Sequence, residues 1–288
     1  MIEEETPLFR IISLETLLQI LLYSEERYVK PMTWDDTFEG CGLRYVNDKE
    51  RFPGLIESLY LTTDKDKNLY DNLLFKFVKA ETIVNYSYGQ CWSLNDNSDA
   101  MWRIYDYGNK SIQIESDKKR ITESIVHKSD DYEYRIKVDS VKYDITKNDA
   151  AEAFVKHFKK RISLVEQFFH KREAFEHEKE VRIIYIDSKA DVAFRNRLNR
   201  LRRILINELS IKGIVDYNEF ICNIINQDTI GVLGTEDSIS LPITSISTYI
   251  KCIRVHPLAE EWYVKLIEKL CNANGIVFGG KSDLYEKI

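Results

Sequence analysis

Two hydrophobic periodicities alternate along the chain, one near 3.6 residues and one of two. The extended stretch Leu8-Phe9-Arg10-Ile11-Ile12 meets Ser13, a good helix N-cap, and Leu14, Leu17, Leu18, Leu21 and Leu22 then recur at helical spacing. That predicts an extended segment feeding an amphipathic helix. Pro31, Asp35, Asp36, Gly40 and Gly42 among aromatics predict an ordered loop over 28–45. Leu69 to Ala80 is predicted helical, and Ile83 to Leu94 a strand carrying Cys91-Trp92-Ser93. The turn Asn95-Asp96-Asn97-Ser98-Asp99 leads to a short helix from Ala100 to Tyr107, with strands over Ser111 to Glu115 and Tyr132 to Tyr143, the second placing Tyr134, Ile136 and Val138 on one face.

The longest predicted helix starts near Asn148, with Phe154, Phe158, Ile162, Val165 and Phe169 as its apolar stripe. It delivers the chain to a strand over Glu178 to Ile186. Next, Leu198, Leu201 and Leu205 keep helical spacing among Arg195, Arg197, Arg200, Arg202 and Arg203, an amphipathic helix with a basic outer face. Tyr249 to His256 reads as a late strand, and Pro257 opens a helix carrying Trp262, Leu266, Ile267 and Leu270 until Gly275 stops it. With no repeats, low-complexity tracts or linker, one α+β domain spanning 1–288 is expected.

Composition narrows the function classes. Apolar residues at 44% supply a sizeable core, and the net charge of −6 argues against coating nucleic acid through overall charge, leaving a local basic patch open. Cys41, Cys91, Cys222, Cys252 and Cys271 are scattered and odd in number, without C-x-x-C, so neither a disulfide framework nor a zinc site is indicated. The acidic start Met1-Ile-Glu-Glu-Glu lacks the basic opening of a signal peptide, and no apolar run approaches about 18 residues. A soluble cytoplasmic protein, away from membranes, is expected.

Chemistry concentrates in a few places. On a strand, Glu178, Glu180 and Arg182 would share one face opposite Val181, Ile183 and Tyr185, which is either a site or a solvated Glu/Arg face. Asp35, Asp36 and Glu39 offer magnesium ligands or plain turn-forming acids. Gly275 to Ser282 fits G-x-x-x-x-G-K-[ST], yet a helix precedes it and only six residues follow, so it reads as a coincidental turn. His127, His157, His170, His177 and His256 show no metal-ligand spacing. Trp34, Trp92, Trp102, Tyr105 and Tyr107 offer stacking surfaces or core filling.

Several motifs occur in a fixed order. They are Phe9-Arg10; Pro31-Met-Thr-Trp34-Asp35-Asp36-Thr37-Phe38-Glu39; Cys91-Trp92-Ser93 with Met101-Trp102-Arg103-Ile104-Tyr105; Phe175-Glu-His-Glu178-Lys-Glu180-Val-Arg182; Ile253-Arg-Val-His-Pro257; and Lys281-Ser282-Asp283-Leu284. This order resembles a bacterial domain-of-unknown-function family, the one numbered 2971, over nearly the whole chain. That family usually reads Asn-Asp-Pro-Phe-Glu where this chain has Asp35-Asp36-Thr37-Phe38-Glu39. More remotely, an early Arg, a mid-chain Ser and a later Glu-x-Glu resemble the Arg-Ser-Glu layout of ADP-ribosyltransferases, which implies a split, mostly antiparallel sheet flanked by helices.

That resemblance implies NAD as substrate, without a metal. Arg10 would grip its phosphates or ribose, with Phe9, Trp92, Trp102 and Tyr105 completing the NAD site. Ser93 would place the nicotinamide ribose, Glu180 would stabilise the oxocarbenium ion, and Glu178 would orient the acceptor. Arg197 and Arg200 would bind a nucleic-acid acceptor, RNA slightly preferred, ahead of protein. Enzymes of this type are often toxins held by an antitoxin partner, as in phage defence. Two other readings stand beside it. One is a metal-dependent nuclease using Asp35, Asp36, Glu178 and Glu180. The other is a non-catalytic sensor in which Trp92, Trp102 and Tyr105 hold a ligand and Glu180 is a structural partner of Arg103 or Arg182.

Overall fold

Strand β1 (Pro7–Ile12) leads into α1 (Leu14–Tyr23), whose N-cap Ser13 accepts the Thr16 N–H as its sequence predicts. The computed structural model describes residues 2–40, 43, 67–106, 108–125, 135–145, 164–212, 217–232 and 236–285. Next come β2 (Glu25–Val29), α2 (Lys67–Tyr86), β3 (Ser87–Ser93), α3 (Asp99–Ile104), β4 (Ile112–Asp117) and α4 (Lys118–Ser124). They are followed by β5 (Ile136–Ser140), β6 (Lys142–Ile145), β7 (His170–Arg172), β8 (Glu180–Ile186), α5 (Lys189–Lys212) and α6 (Tyr217–Gln227). The last elements are β9 (Ser238–Pro242), α7 (Ile246–Tyr249), β10 (Cys252–Val255), α8 (Glu261–Ala273) and β11 (Val277–Lys281). Short 3-10 turns cover Pro31–Thr33, Leu164–Phe169 and Glu173–Glu178.

Nine strands form one sheet in the order β11-β10-β4-β1-β3-β2-β9, with β8 and then β5 continuing from β3. Strand β3 is the branch point. One edge pairs with β8 along its length, while the other meets β1 at Phe9↔Ser93 and β2 at Val29↔Gly89. Only β10–β11 is parallel within this sheet, so the fold is α+β with a mixed, mostly antiparallel sheet.

Alternation along β8 separates two cores, because successive side chains leave opposite faces. Val181, Ile183 and Tyr185 join one core with Leu8, Ile12, Trp92, Tyr249 and Ile267, whereas Ile184 joins the other with Phe77, Phe168, Leu201 and Ile221. Glu180 and Arg182 therefore face the second core. Gly89 serves that face by its lack of a side chain: a Cβ there would stand 2.6 Å from the Trp34 ring.

Several element boundaries differ from expectation. Ile83 to Tyr86 ends a helix instead of opening a strand, since Phe77, Ala80, Ile83 and Val84 pack at helical spacing into the second core. The stretch predicted as one strand to Tyr143 is two strands that part at Val141, whose N–H donates to the Glu180 carbonyl at 2.9 Å. Of the long helix expected from Asn148, residues 148–163 lie outside the described residues, and Val165 and Phe169 sit in a 3-10 turn. Tyr249 closes α7, leaving Cys252–Val255 as the strand. Helix α8 starts at Glu261, four residues after Pro257, and Gly275 ends the segment at φ +66°. The G-x-x-x-x-G-K-S match is strand β11, with no following helix among the described residues to hold phosphate.

The arginines of α5 do not make one outer face. Arg197 lies four residues from Leu201 on the packed side and pairs with Glu81 at 3.1 Å and with Asp228. Arg200 pairs with Asp228 at 2.9 Å and Arg202 with Asp71 at 2.6 Å, leaving Arg195 and Arg203 as the exposed pair. This clamp fastens α5 to α2 and to the end of α6. Among the described residues, no helix is long and apolar enough to cross a membrane.

Candidate functional site

Glu178 reaches the site by a route the strand reading missed. It ends the 3-10 turn Glu173–Glu178, and Lys179 at φ +42° swings the backbone into β8. A left-handed residue other than Gly is uncommon and needs anchoring. The anchors come from the exit of β3: the Leu94 N–H donates to the Lys179 carbonyl at 3.0 Å, Ser93 Oγ donates to the Glu178 carbonyl at 2.6 Å, and Asn95 Nδ2 donates to the His177 carbonyl at 2.8 Å. Ser93 thus ties two segments together.

Behind that turn lies a buried charge network. Lys171 Nζ stands 2.7 Å from Glu178, 3.0 Å from Glu180 and 3.2 Å from Glu39. Arg182, fully buried, donates to both Glu180 oxygens at 2.6 and 3.0 Å, meets Glu39 at 2.8 Å, and donates to the Phe168 carbonyl. Trp34 covers the guanidinium with its ring centroid 4.4 Å away. A second clasp holds the 31–40 loop, with Arg172 between the Phe38 and Phe175 rings and on Asp36 at 3.0 Å.

Electrostatics follow from this geometry. Burial alone would raise the Glu180 carboxyl, but Arg182 and Lys171 outweigh it and bring it down to about 2. Burial pushes Glu39 up more than Arg182 and Lys171 pull it down. Lys171 is held above the ordinary lysine range, where the attraction of Glu180 and Glu39 exceeds the cost of burial. Tyr105 and Cys91 are raised by burial and by the neighbouring carboxylates.

An open pocket of about 480 Å³ lies beside the network. Leu94 borders it just past β3, Ser140 from the end of β5, Val141 from the connection, Tyr143 from β6, Glu176, His177 and Lys179 from the turn, and Glu180 from the start of β8. The Tyr143 phenol oxygen accepts the Glu180 N–H at 2.6 Å. Burial and the Glu180 and Glu178 carboxylates push that phenol up to about 12.

The sequence-predicted residues divide. Phe9, Ser93 and Glu180 lie opposite one another in register on one face, with Glu178 beside them and Tyr105 close enough to be shifted by both carboxylates. Arg10 is the next residue along β1 and faces the other core with its neighbours Leu8 and Ile12. It pairs there with Glu26 at 2.9 Å, and Tyr249 donates to the other Glu26 oxygen at 3.2 Å. Trp92 also belongs to that core, donating to Gln90 at 2.7 Å. Trp102 packs edge-on against His256, so Trp92, Trp102 and Tyr105 do not form one aromatic cluster.

The carboxylates of the nuclease reading are similarly dispersed. Asp35 is exposed, Asp36 holds Arg172, and Glu178 and Glu180 hold Lys171. Three of these four carboxylates are engaged by cations of the chain, and no metal-holding group of His, Cys, Asp or Glu occurs among the described residues. Arg103 pairs with Asp99, leaving Arg182 as the partner of Glu180.

Sequence reasoning missed Lys171 and Tyr143 as members of the site. Lys171 sits seven and nine residues before its carboxylate partners, a spacing without periodicity, and Tyr143 reads as the end of an ordinary strand. Compared with known proteins, the chain matches no family model, no curated protein and no solved structure, so the family resemblance rests on its quoted motifs alone.

Proposed function

We propose that the protein is a non-catalytic ligand-binding module whose pocket opens beside Tyr143, His177 and Lys179, and that Glu180 braces the pocket wall. The carrying observation is the saturation of Glu180: Arg182 takes both oxygens and Lys171 takes one again. Carboxylate oxygens engaged by the chain's own cations are not aimed at a developing cation in the pocket. Arg10, the guanidinium expected to grip a donor diphosphate, is turned to the other core, and the guanidinia on this face are engaged, Arg182 by Glu180 and Glu39 and Arg172 by Asp36.

NAD-dependent ADP-ribosyl transfer to a macromolecule, nucleic acid before protein, is the second reading. Three observations favour it: Glu180 borders the pocket, opposes Ser93 in register, and has its carboxyl brought down to about 2 by Arg182 and Lys171. Assaying the parent protein and Glu180→Gln for thermal midpoint and NAD consumption separates the two. The binding reading expects a lowered midpoint in the variant and no NAD consumption by either protein. NAD turnover by the parent that disappears in a Glu180→Gln protein of unchanged midpoint overturns it in favour of the transferase.

A further inference from the structure

Tyr143 brings a hydroxyl to the edge of the pocket. Its oxygen already accepts the Glu180 N–H at 2.6 Å, so its own proton must point elsewhere, and that proton meets no acceptor among the described residues. With the phenol pushed up to about 12, it keeps the proton at any physiological pH. Tyr143 therefore presents an O–H to the pocket it borders.

Charge decides what that donor can take. Among the described residues, the pocket lining sets Glu176 and Glu180 against Lys179, and the network behind it sets Glu39 and Glu178 against Lys171 and Arg182, one carboxylate more than the cations. Lys171 and Arg182 are consumed by the buried network, leaving exposed Lys179 as the lysine or arginine open to a ligand among the described residues that line the pocket. Sites for phosphate normally combine guanidinium forks, helix N-termini or backbone nests. Among the described residues that line this pocket there is no guanidinium and no helix N-terminus, and the N–H groups of the Lys179 turn are already spent, that of Lys179 on the Glu176 carbonyl and that of Glu180 on Tyr143.

Resting on the binding-module reading, the geometry points to an uncharged ligand bearing an amide-type carbonyl, which accepts the Tyr143 O–H while its apolar body lies on Leu94 and Val141. Carboxylates and diphosphates of the same shape are rejected by the excess negative charge.

Titrating the full chain with benzamide against benzoate, and uridine against uridine 5′-diphosphate, tests this by calorimetry. The neutral member of each pair is expected to bind at least about 10-fold more tightly. Tyr143→Phe is expected to weaken benzamide by about 10-fold, the loss of one hydrogen bond. Glu176→Gln, an exposed change that removes one lining carboxylate, is expected to strengthen benzoate by a larger factor than benzamide and so narrow the gap between them. Benzoate binding as tightly as benzamide to the parent overturns the proposal and leaves the pocket reading standing; failure of all four probes overturns both. Parental benzamide affinity in Tyr143→Phe also overturns the proposal. Should that variant fail to fold after losing the acceptor for the Glu180 N–H, the parent pairs and Glu176→Gln still decide it.

Discussion

Strand β3 carries a polar cluster on each face, and the two clusters behave oppositely. On the Trp92 face, Arg10, Glu26, Tyr249 and Gln90 form a small set in which one guanidinium meets one carboxylate. On the Ser93 face, Lys171 and Arg182 bind three carboxylates beside an open pocket. The first is balanced in charge; the second carries an excess negative charge and borders an open pocket. Adjacent residues in sequence, such as Phe9 and Arg10, therefore belong to different chemical environments.

The largest expected contrast comes from removing one cation. Arg182→Met leaves Glu180 and Glu39 buried with Lys171 alone to neutralise them, and breaking a buried pair in this way costs about 3–5 kcal/mol. Arg10→Met should cost less, because Glu26 keeps the Tyr249 hydroxyl and the Arg27 N–H. Urea unfolding of both variants checks the ranking. Equal losses would mean that the two faces are energetically alike.

Acid should act on the Ser93 face. Glu180 has a folded pKa of about 2, depressed below the ordinary glutamate value of 4.5. Its contribution is therefore present above pH 4.5 and lost as pH falls toward 2, on the order of 3 kcal/mol for this group alone. Glu39 opposes the trend: burial raises its carboxyl, so the folded state takes up that proton more readily than the unfolded chain. A thermal midpoint that falls between pH 4.5 and 2 in the parent, and falls less in Glu180→Gln, is the expected outcome. Identical acid profiles for the two proteins would remove Glu180 as the titrating group.

Much of this architecture was legible in the chain. Ser13 and the leucines of α1, the alternation of Val181, Ile183 and Tyr185, and the stop at Gly275 all appear where periodicity and capping place them. Those signals are local. The site was legible only in part, since Glu180 and Arg182 are two residues apart on one strand, whereas Lys171, Glu39 and Tyr143 arrive from separate segments with no periodic mark. Arg10 misled for the same reason. Its place in a motif order says which strand it occupies but leaves open which neighbour supplies its counter-charge.

On the Trp92 face, a hydroxyl deletion should have a modest effect. Tyr249→Phe removes a donor 3.2 Å from Glu26 and 3.4 Å from Gln90, while Arg10 and the Arg27 N–H continue to satisfy the same carboxylate. A loss of about 1 kcal/mol in urea unfolding is expected, the usual net value of one hydrogen bond. A loss as large as that of Arg182→Met would place a hidden charge dependence on this face and end the contrast between them.

The smallest expected effect belongs to Arg103. Sequence spacing left it and Arg182 as equal candidates to neutralise Glu180, yet its side chain is 73% exposed and pairs 2.8 Å from Asp99, one helical turn away. Exposed i,i+4 pairs are screened by water and salt and hold two long side chains at an entropic cost. Arg103→Ala should therefore leave the urea midpoint unchanged within error and the acid profile of the Glu180 network intact. A clear loss of stability, or an upward shift in the pH at which the network fails, would require a contact between Arg103 and the carboxylates in solution. That outcome would join the surface of α3 to the buried network and undo the assignment of Arg182 as the cation that sets it.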